Sequence, residues 1–532
     1  MLHDTGLRCS GARRVPTALP KSGAGTPGAC TFFGRGPGKY ARETGRITKL
    51  HSSGNRRVLR RQRSADPPPC RGSLASERRF RSLRDADLVI LGTRVVTPEG
   101  VRPAAVAIAG GVITGVHEHG AAPDASRRLD VKDAIVLPGG VDPHVHVNEP
   151  GRTEWEGFET ATRAGAAGGV TTIVDMPLNS LPVTTTAIAL KVKARAAAGR
   201  ATVDYAFWGG VVPGNVQQLA PLARAGARGF KCFLVPSGID EFPPVTARDL
   251  RPAMAQIAEL GLALLVHAEL PGPIQRAAAS RAPGDPRRYA SYLASRPAAA
   301  EVEAVDLILD LCRETGCRVH IVHVSAAETL EPLRAAKRAG LPVSAETCPH
   351  YLTFAAEEIA DGATAWKCAP PIRERSNRDR LWDALADGTL DFVASDHSPA
   401  PPALKCLDTG DFVRAWGGVA SLELALAATW SGARQRRRDV QDLARWCAER
   451  PARLAGFGRK GRIAAGCDAD LVVFDPDGRF VVEPDRLRQR HPVTPYAGMT
   501  LAGVVRQTFV RGVCVYDSGA FPAGKVGTWV KP

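Results

Sequence analysis

The stretch Pro138-Gly139-Gly140-Val141-Asp142-Pro143-His144-Val145-His146-Val147-Asn148-Glu149-Pro150-Gly151-Arg152 decides the fold. An apolar run, Ala134 to Leu137, leads into it, so it reads as the end of a strand. Residues i and i+2 of a strand project from one face. His144 and His146 can therefore offer two imidazoles to one point, as a metal ion requires. The pair alone is weak, since two histidines can also share a solvated strand face. A second such pair, His117-Glu118-His119, serves as a control. It runs into the turn-rich Gly120-Ala121-Ala122-Pro123 and reads as a solvated hairpin end. What separates the two pairs is the company found further along.

Composition narrows the possibilities. At 532 residues the chain can bury a large core and more than one domain. No run approaches the ~18 apolar residues that span a bilayer, so no membrane partner is expected. The net charge of +16 suggests a polyanion binder, but residues 1–84 hold 19 Lys and Arg against 4 Asp and Glu, leaving 51 against 50 in the remainder. The body is nearly neutral, and a nucleic-acid partner is not expected apart from non-specific binding by the basic tail. Rich in Arg, Gly, Ser and Pro and without hydrophobic period, residues 1–84 read as a disordered extension. Three origins suit it: a polyanion-binding arm around Arg56-Arg57 and Arg60-Arg61, a transit peptide, or a start codon placed too far upstream. It has no apolar segment of the secretory kind. The twelve cysteines are scattered without a CxxC pair, which points to reduced thiols and a cytoplasmic enzyme.

From Asp87 to Val116 short apolar runs alternate with Gly and Pro, and the same texture returns from Gly461 to Val515. Both ends read as small β segments able to pair into one β-sandwich. Between them, strands are expected at 141–147, 170–175, 202–208, 229–234, 263–267, 318–324, 342–346 and 391–395. Segments of helical period, such as 156–167 and 297–314, fall between most of them. Eight strands alternating with helices read as an α/β chain folded into a (β/α)8 barrel, whose chemistry sits at the C-terminal strand ends. The expected domains are 85–140 with 455–532 as the sandwich and 141–454 as the barrel.

The strand ends carry a pattern. The first holds His144 and His146, the fourth Lys231 among Phe230, Cys232 and Phe233, and the fifth His267. The sixth holds His320 and His323, the eighth Asp396 and His397. His323, in phase with Val319 and Ile321, is the candidate ligand and His320 structural; Asp396 is preferred over His397, which faces the other way. Each has a bland alternative: a satisfied core histidine, a snorkelling lysine, or loop packing for Cys348-Pro349-His350-Tyr351. Five coincidences at the same end of five strands argue against all of these together.

This set resembles the cyclic-amidohydrolase group of the amidohydrolase superfamily. Within that group it resembles the allantoinase branch, a likeness carried by Asn148-Glu149-Pro150-Gly151-Arg152-Thr153-Glu154-Trp155-Glu156-Gly157-Phe158, Gly229-Phe230-Lys231-Cys232-Phe233, Pro236-Ser237-Gly238-Ile239-Asp240-Glu241-Phe242-Pro243, Lys367-Cys368-Ala369-Pro370-Pro371-Ile372-Arg373, Ser395-Asp396-His397-Ser398-Pro399 and Ala415-Trp416-Gly417-Gly418. The likeness runs from about residue 87 to the C-terminus. It implies two zinc ions per subunit held by His144, His146, Lys231, His267, His323 and Asp396, with Lys231 carbamylated as N6-carboxylysine and bridging the metals. It also implies Asp396 as the catalytic proton carrier, a homotetramer, and hydrolytic opening of allantoin to allantoate in purine breakdown. Cys368, Trp416 and Gly417 would contact the substrate. So would Asn148, which stands where dihydroorotase relatives place a carboxylate-binding arginine. An asparagine suits a neutral ureido group better than a carboxylate. The alternatives are another cyclic amide (a dihydropyrimidine, hydantoin or dihydroorotate) or a non-catalytic scaffold, which such relatives become by losing ligands that this chain retains.

Overall fold

The computed structural model describes residues 86–280 and 284–532. The readings of residues 1–84 lie outside them. The first five strands are β1 (Ala86–Thr97), β2 (Gly100–Ala109), β3 (Val112–Glu118), β4 (Ala125–Asp130) and β5 (Ile135–Pro138). The last three are β15 (Leu471–Val481), β16 (Thr500–Val510) and β17 (Val513–Asp517). Together they form one eight-stranded sheet in the order β17-β16-β15-β5-β1-β2-β3, with β4 beside β1. The seam between the two chain ends is the antiparallel pair β5–β15, in register from Leu471↔Pro138 to Phe474↔Ile135. Ile113 of β3 and Phe509 of β16 stand far apart in this order yet share one buried cluster with Ile90, Val106, Val136 and Val473. The sheet therefore curls over its own apolar face into the expected sandwich. His117 and His119 are exposed at the end of β3, the solvated hairpin that the control pair suggested.

The barrel strands are β6 (Gly140–Val145), β7 (Val170–Asp175), β8 (Asp204–Phe207), β9 (Gly209–Gly210), β10 (Phe230–Phe233), β11 (Ala263–His267), β12 (Arg318–Ile321), β13 (Val343–Thr347) and β14 (Phe392–Val393). Those neighbouring each other within β6–β8 and within β9–β14 are hydrogen-bonded and parallel. β8 and β9 are two halves of one strand, interrupted at Trp208. A parallel bridge from Val145 to His397 closes the ring. Eight strand positions result, as the alternation of apolar runs and helical segments predicts. Burial of Ala304, Val305, Ile308, Leu311 and Cys312 gives the helix Ala299–Thr315 its barrel-facing side, and Gly316 (φ 68°) ends it. Several strands stop earlier than the hydrophobic pattern suggests, because the backbone turns into the left-handed region at Asn148, His323 and Asp396. No helix among the described residues is long and apolar enough to cross a membrane, and the nine described cysteines are free.

One ion cluster ties the sheet to the barrel. Lys460 Nζ lies 2.9 Å from Asp204 at the start of β8, 2.6 Å from Asp470 just before β15, and 3.3 Å from Asp468. Asp204 also accepts from the Thr528 amide at 2.9 Å. The Tyr205 amide donates to the Thr528 carbonyl at 3.0 Å. The last residues of the chain thus lie along β8, on the barrel, although the sequence texture groups them with the sandwich. Lys460→Met should leave Asp204 and Asp470 as buried, under-compensated carboxylates and cost about 3–5 kcal/mol. Denaturant unfolding of the two proteins measures this, and a loss below about 1 kcal/mol would mark the cluster as no stronger than a surface pair.

Candidate metal centre

The barrel brings the six strand-end residues to one place. His144 is the last residue but one of β6 with His146 just beyond its end, Lys231 lies in β10 and His267 ends β11. His323 and Asp396 follow β12 and β14 in left-handed conformation, with φ of 40° and 44°. All six are buried. Asp396 Oδ1 lies 3.2 Å from His144 Nε2 and 3.5 Å from His146 Nε2. On the other side His267 Nδ1 is 2.9 Å from His323 Nε2. The His144 and His323 ring centroids, 5.5 Å apart, join the two halves. Lys231 Nζ stands 5.1 Å from the centre of the Phe233 ring, and Phe233 in turn stacks on His267 at 4.6 Å.

Three buried nitrogens here have no hydrogen-bond partner: Lys231 Nζ, His146 Nδ1 and His323 Nδ1. Leaving such a group unsatisfied costs about 1–3 kcal/mol, so three around one carboxylate are unmet ligand capacity. Burial brings His146 down to about 4 and lowers His267 and His323, which keeps these imidazoles neutral. Burial alone would raise Asp396, but His144, His146 and His323 more than offset it and hold the carboxyl far below the usual range. Burial brings the Lys231 amine down to about 8. Neutral imidazoles with an ionised carboxylate are the protonation states that metal ligands require, so the residues fit a metal centre. His144, His146 and Asp396 form one compact donor group.

Two carboxylates behind the ligands went unread in the sequence. Glu346 in β13 accepts from His144 Nδ1 with one oxygen and from His320 Nε2 at 3.0 Å with the other. Glu269 accepts from His267 Nε2 at 2.9 Å and is itself gripped by both arms of Arg296. Such partners fix which ring nitrogen is left for a metal. Glu269 carried a readable signal, standing two residues after His267. Glu346 stood at a strand end, where the barrel rule already looks. Arg296 carried none. His320, bound to Glu346 and to Ser344 Oγ at 2.8 Å, is structural as expected. So is His397, whose Nδ1 accepts the Ser421 and Leu422 amides at 3.2 and 3.3 Å and whose Nε2 donates to Glu156 at 3.2 Å. Cys348 and His350 are buried, and they also come close to Asp396 as a second donor group.

A cavity of about 490 Å³ opens over the centre. His144, His146, His267, His323 and Asp396 line it, as do Cys368, Trp416 and Gly417. Asn148 is not among the lining residues, and its side-chain oxygen is buried without a hydrogen-bond partner. It is fully buried with φ 66°, its carbonyl accepts the Arg152 amide at 3.1 Å, and its side-chain amide points to the Pro399 carbonyl at 3.4 Å. A left-handed turn residue is a place Asn tolerates well. Arg152 serves the same loop, donating to Asn179 O at 3.0 Å and pairing with Glu241 at 3.2 Å. The loop reaches the cavity indirectly, with Trp155 packed edge-on against Trp416 at 4.9 Å.

Two lysines hold the wall in place. Lys405 is buried, and its Nζ donates to the carbonyls of Lys367, Trp416 and Gly418 at 3.2, 3.0 and 2.8 Å. Lys367 Nζ donates to Val413 O at 3.1 Å and Ala415 O at 2.5 Å. Between them they tie the 367–369 and 413–418 segments of the wall together.

Residues 135–515 match the model of the amidohydrolase family. The chain is 52% identical to an allantoinase of Streptomyces avermitilis over 84% of its length and 99% of that protein's. It is 41% identical to an allantoinase of Arabidopsis thaliana, over 82% of this chain and 90% of the other, and 45% identical to that of Saccharomyces cerevisiae, over 73% and 84%. Among solved structures, an L-hydantoinase (dihydropyrimidinase) from Arthrobacter aurescens superposes with a TM-score of 0.79 at 31% identity, covering 84% of this chain and 100% of the other. With residues 135–515 matching the family model and the likeness to allantoinases running over nearly all the described residues, the chain belongs to the amidohydrolase family.

Proposed function

We propose that the chain hydrolyses a ring amide of allantoin to give allantoate, a step in purine breakdown. The observation that carries this is the 52% identity to an allantoinase over 99% of that protein, in a chain with a histidine, lysine or aspartate at every strand-end ligand position. The donor set of imidazole, carboxylate and a buried amine suits two zinc ions held by His144, His146, Lys231, His267, His323 and Asp396. When bound, such a pair polarises the scissile carbonyl and makes water nucleophilic at neutral pH. Lys231 would be carbamylated by attack of its neutral amine on carbon dioxide, forming an N–C bond and releasing one proton, and would then offer a carboxylate to the metals. Burial against Phe233 favours that neutral amine. Asp396 takes the proton of the attacking water and delivers it to the ring nitrogen that leaves. Cys368, Trp416 and Gly417 form the wall against which the ring is oriented.

The same reading makes the protein a cytoplasmic homotetramer with its domains divided near residues 140 and 454. A second reading, hydrolysis of a hydantoin or dihydropyrimidine, is favoured by the likeness to the Arthrobacter aurescens hydantoinase. A side-by-side assay decides between them. Allantoin should give the highest kcat/KM among allantoin, hydantoin, dihydrouracil and dihydroorotate. If another ring wins, the allantoin assignment fails and ring-amide hydrolysis stands.

Lys231→Ala and Lys231→Arg should both lose most of the bound metal, because neither side chain can form the carbamate. Elemental analysis reads this directly. A Lys231→Ala protein that still carries two metals per chain would remove the bridging role.

Lys405→Met should loosen the cavity wall while leaving the metal ligands alone. The expected result is a KM for allantoin raised about tenfold, equivalent to ~1.4 kcal/mol, at unchanged metal content. An unchanged KM would show that the wall holds its shape without the ammonium.

A further inference from the structure

Behind Asp396 lies a second donor group that the proposed mechanism does not use. Cys348 Sγ, a ring nitrogen of His350 and a carboxylate oxygen of Asp396 all lie within 4.8 Å of one another. Cys348 and His350 are both 0% exposed. Neither ring nitrogen of His350 has a hydrogen-bond partner. The imidazole is flanked edge-on by Tyr351 at 4.3 Å, a contact that satisfies neither nitrogen. A buried imidazole with both nitrogens idle is unusual, because one is a donor, the other an acceptor, and each unmet group costs about 1–3 kcal/mol.

We propose that Cys348, His350 and Asp396 form an inhibitory site for a third, thiophilic divalent cation such as zinc in excess or cadmium. Thiolate, imidazole and carboxylate together suit zinc and cadmium and reject magnesium and calcium. Ligand atoms around a tetrahedral zinc stand roughly 3.3–3.8 Å apart, so the group closes on an ion with about an ångström of movement. Of the three residues, Asp396 lines the cavity. Binding forms a metal–sulfur bond and releases the thiol proton to solvent. It also engages the Asp396 carboxylate, so the proton carrier is taken out of use. The inhibitory effect rests on the proposed role of Asp396; the binding itself does not.

The experiment starts from holoenzyme carrying two zinc ions per chain. Excess zinc should add about one further ion per chain and suppress allantoin hydrolysis, whereas magnesium at the same concentration does neither. Cobalt(II) as the added ion should give a sulfur-to-metal charge-transfer band, which the histidine and carboxylate ligands of the main centre cannot produce. Cys348→Ser and His350→Gln should keep the basal activity, lose the third ion and the band, and raise the half-inhibiting zinc concentration about tenfold or more. Cys348→Ala serves as the second thiol variant where the serine protein folds poorly. No third ion in the wild type, or equal inhibition in the wild type and in every folded variant, overturns the proposal. A third ion and a charge-transfer band in a protein without activity on allantoin would leave this site standing and sink the allantoin reading instead.

Discussion

Glu346 is the fixed charge on which the centre depends. It is fully buried between His144 and His320. Burial alone would raise its carboxyl, yet the two imidazoles bring it down to about 2. The anion therefore dictates where the ring protons go. His144 must carry its proton on Nδ1, facing Glu346, and present Nε2 toward Asp396. Glu269 makes the opposite choice for His267: it takes the Nε2 proton and leaves Nδ1 facing His323. It can remain ionised because Arg296 supplies the countercharge that burial would otherwise forbid. Two histidines thus show opposite nitrogens to one centre because their carboxylates sit on opposite sides of them.

The surrounding barrel is held by the same logic of shared acceptors. Asp142 takes the His144 amide at 3.0 Å and the Ser395 amide at 3.2 Å, joining the first strand to the last where the ring closes. Asp175 at the end of β7 accepts the Val147 amide at 2.8 Å and the Lys193 ammonium at 2.6 Å. Each carboxylate adds a side-chain link between segments that the backbone already pairs. The cavity wall inverts the arrangement, since there the shared group is a lysine donor. Lys405 and Lys367 gather carbonyls from a loop with no regular pairing of its own.

The candidate ligands were legible because the barrel rule needs only the strand ends and the residue types found there. His144, His146, Lys231, His267, His323 and Asp396 all stand where that rule places them. The phase argument reaches His323 by a route the backbone does not follow: β12 ends at Ile321, and a left-handed turn, not strand alternation, brings the ring inward. What stayed hidden is what depends on distances across the fold. Glu346 meets His144 over 202 positions of sequence, and Arg296 meets Glu269 from a segment outside any strand. Asn148 stands beside the HxH pair, and its left-handed backbone, which strand alternation does not anticipate, places it in the turn that follows. Three of the four expected substrate contacts, Cys368, Trp416 and Gly417, do line the cavity, since motif likeness carried whole wall segments and not isolated side chains.

The left-handed conformation of His323 and Asp396 has its own consequence. Outside glycine such a backbone costs on the order of 1–2 kcal/mol per residue, and it persists only where neighbours over-determine it. For Asp396 those neighbours can be named. His397, the next residue, is clamped by the Ser421 and Leu422 amides and by Glu156, while its own amide donates to Ser395 Oγ at 3.1 Å. Its carbonyl accepts the His146 amide at 2.8 Å. With His397 held on every side, Asp396 cannot relax into the strand, and its carboxylate stays aimed between His144 and His146. A histidine that faces away from the chemistry therefore sets the direction of the aspartate that faces it.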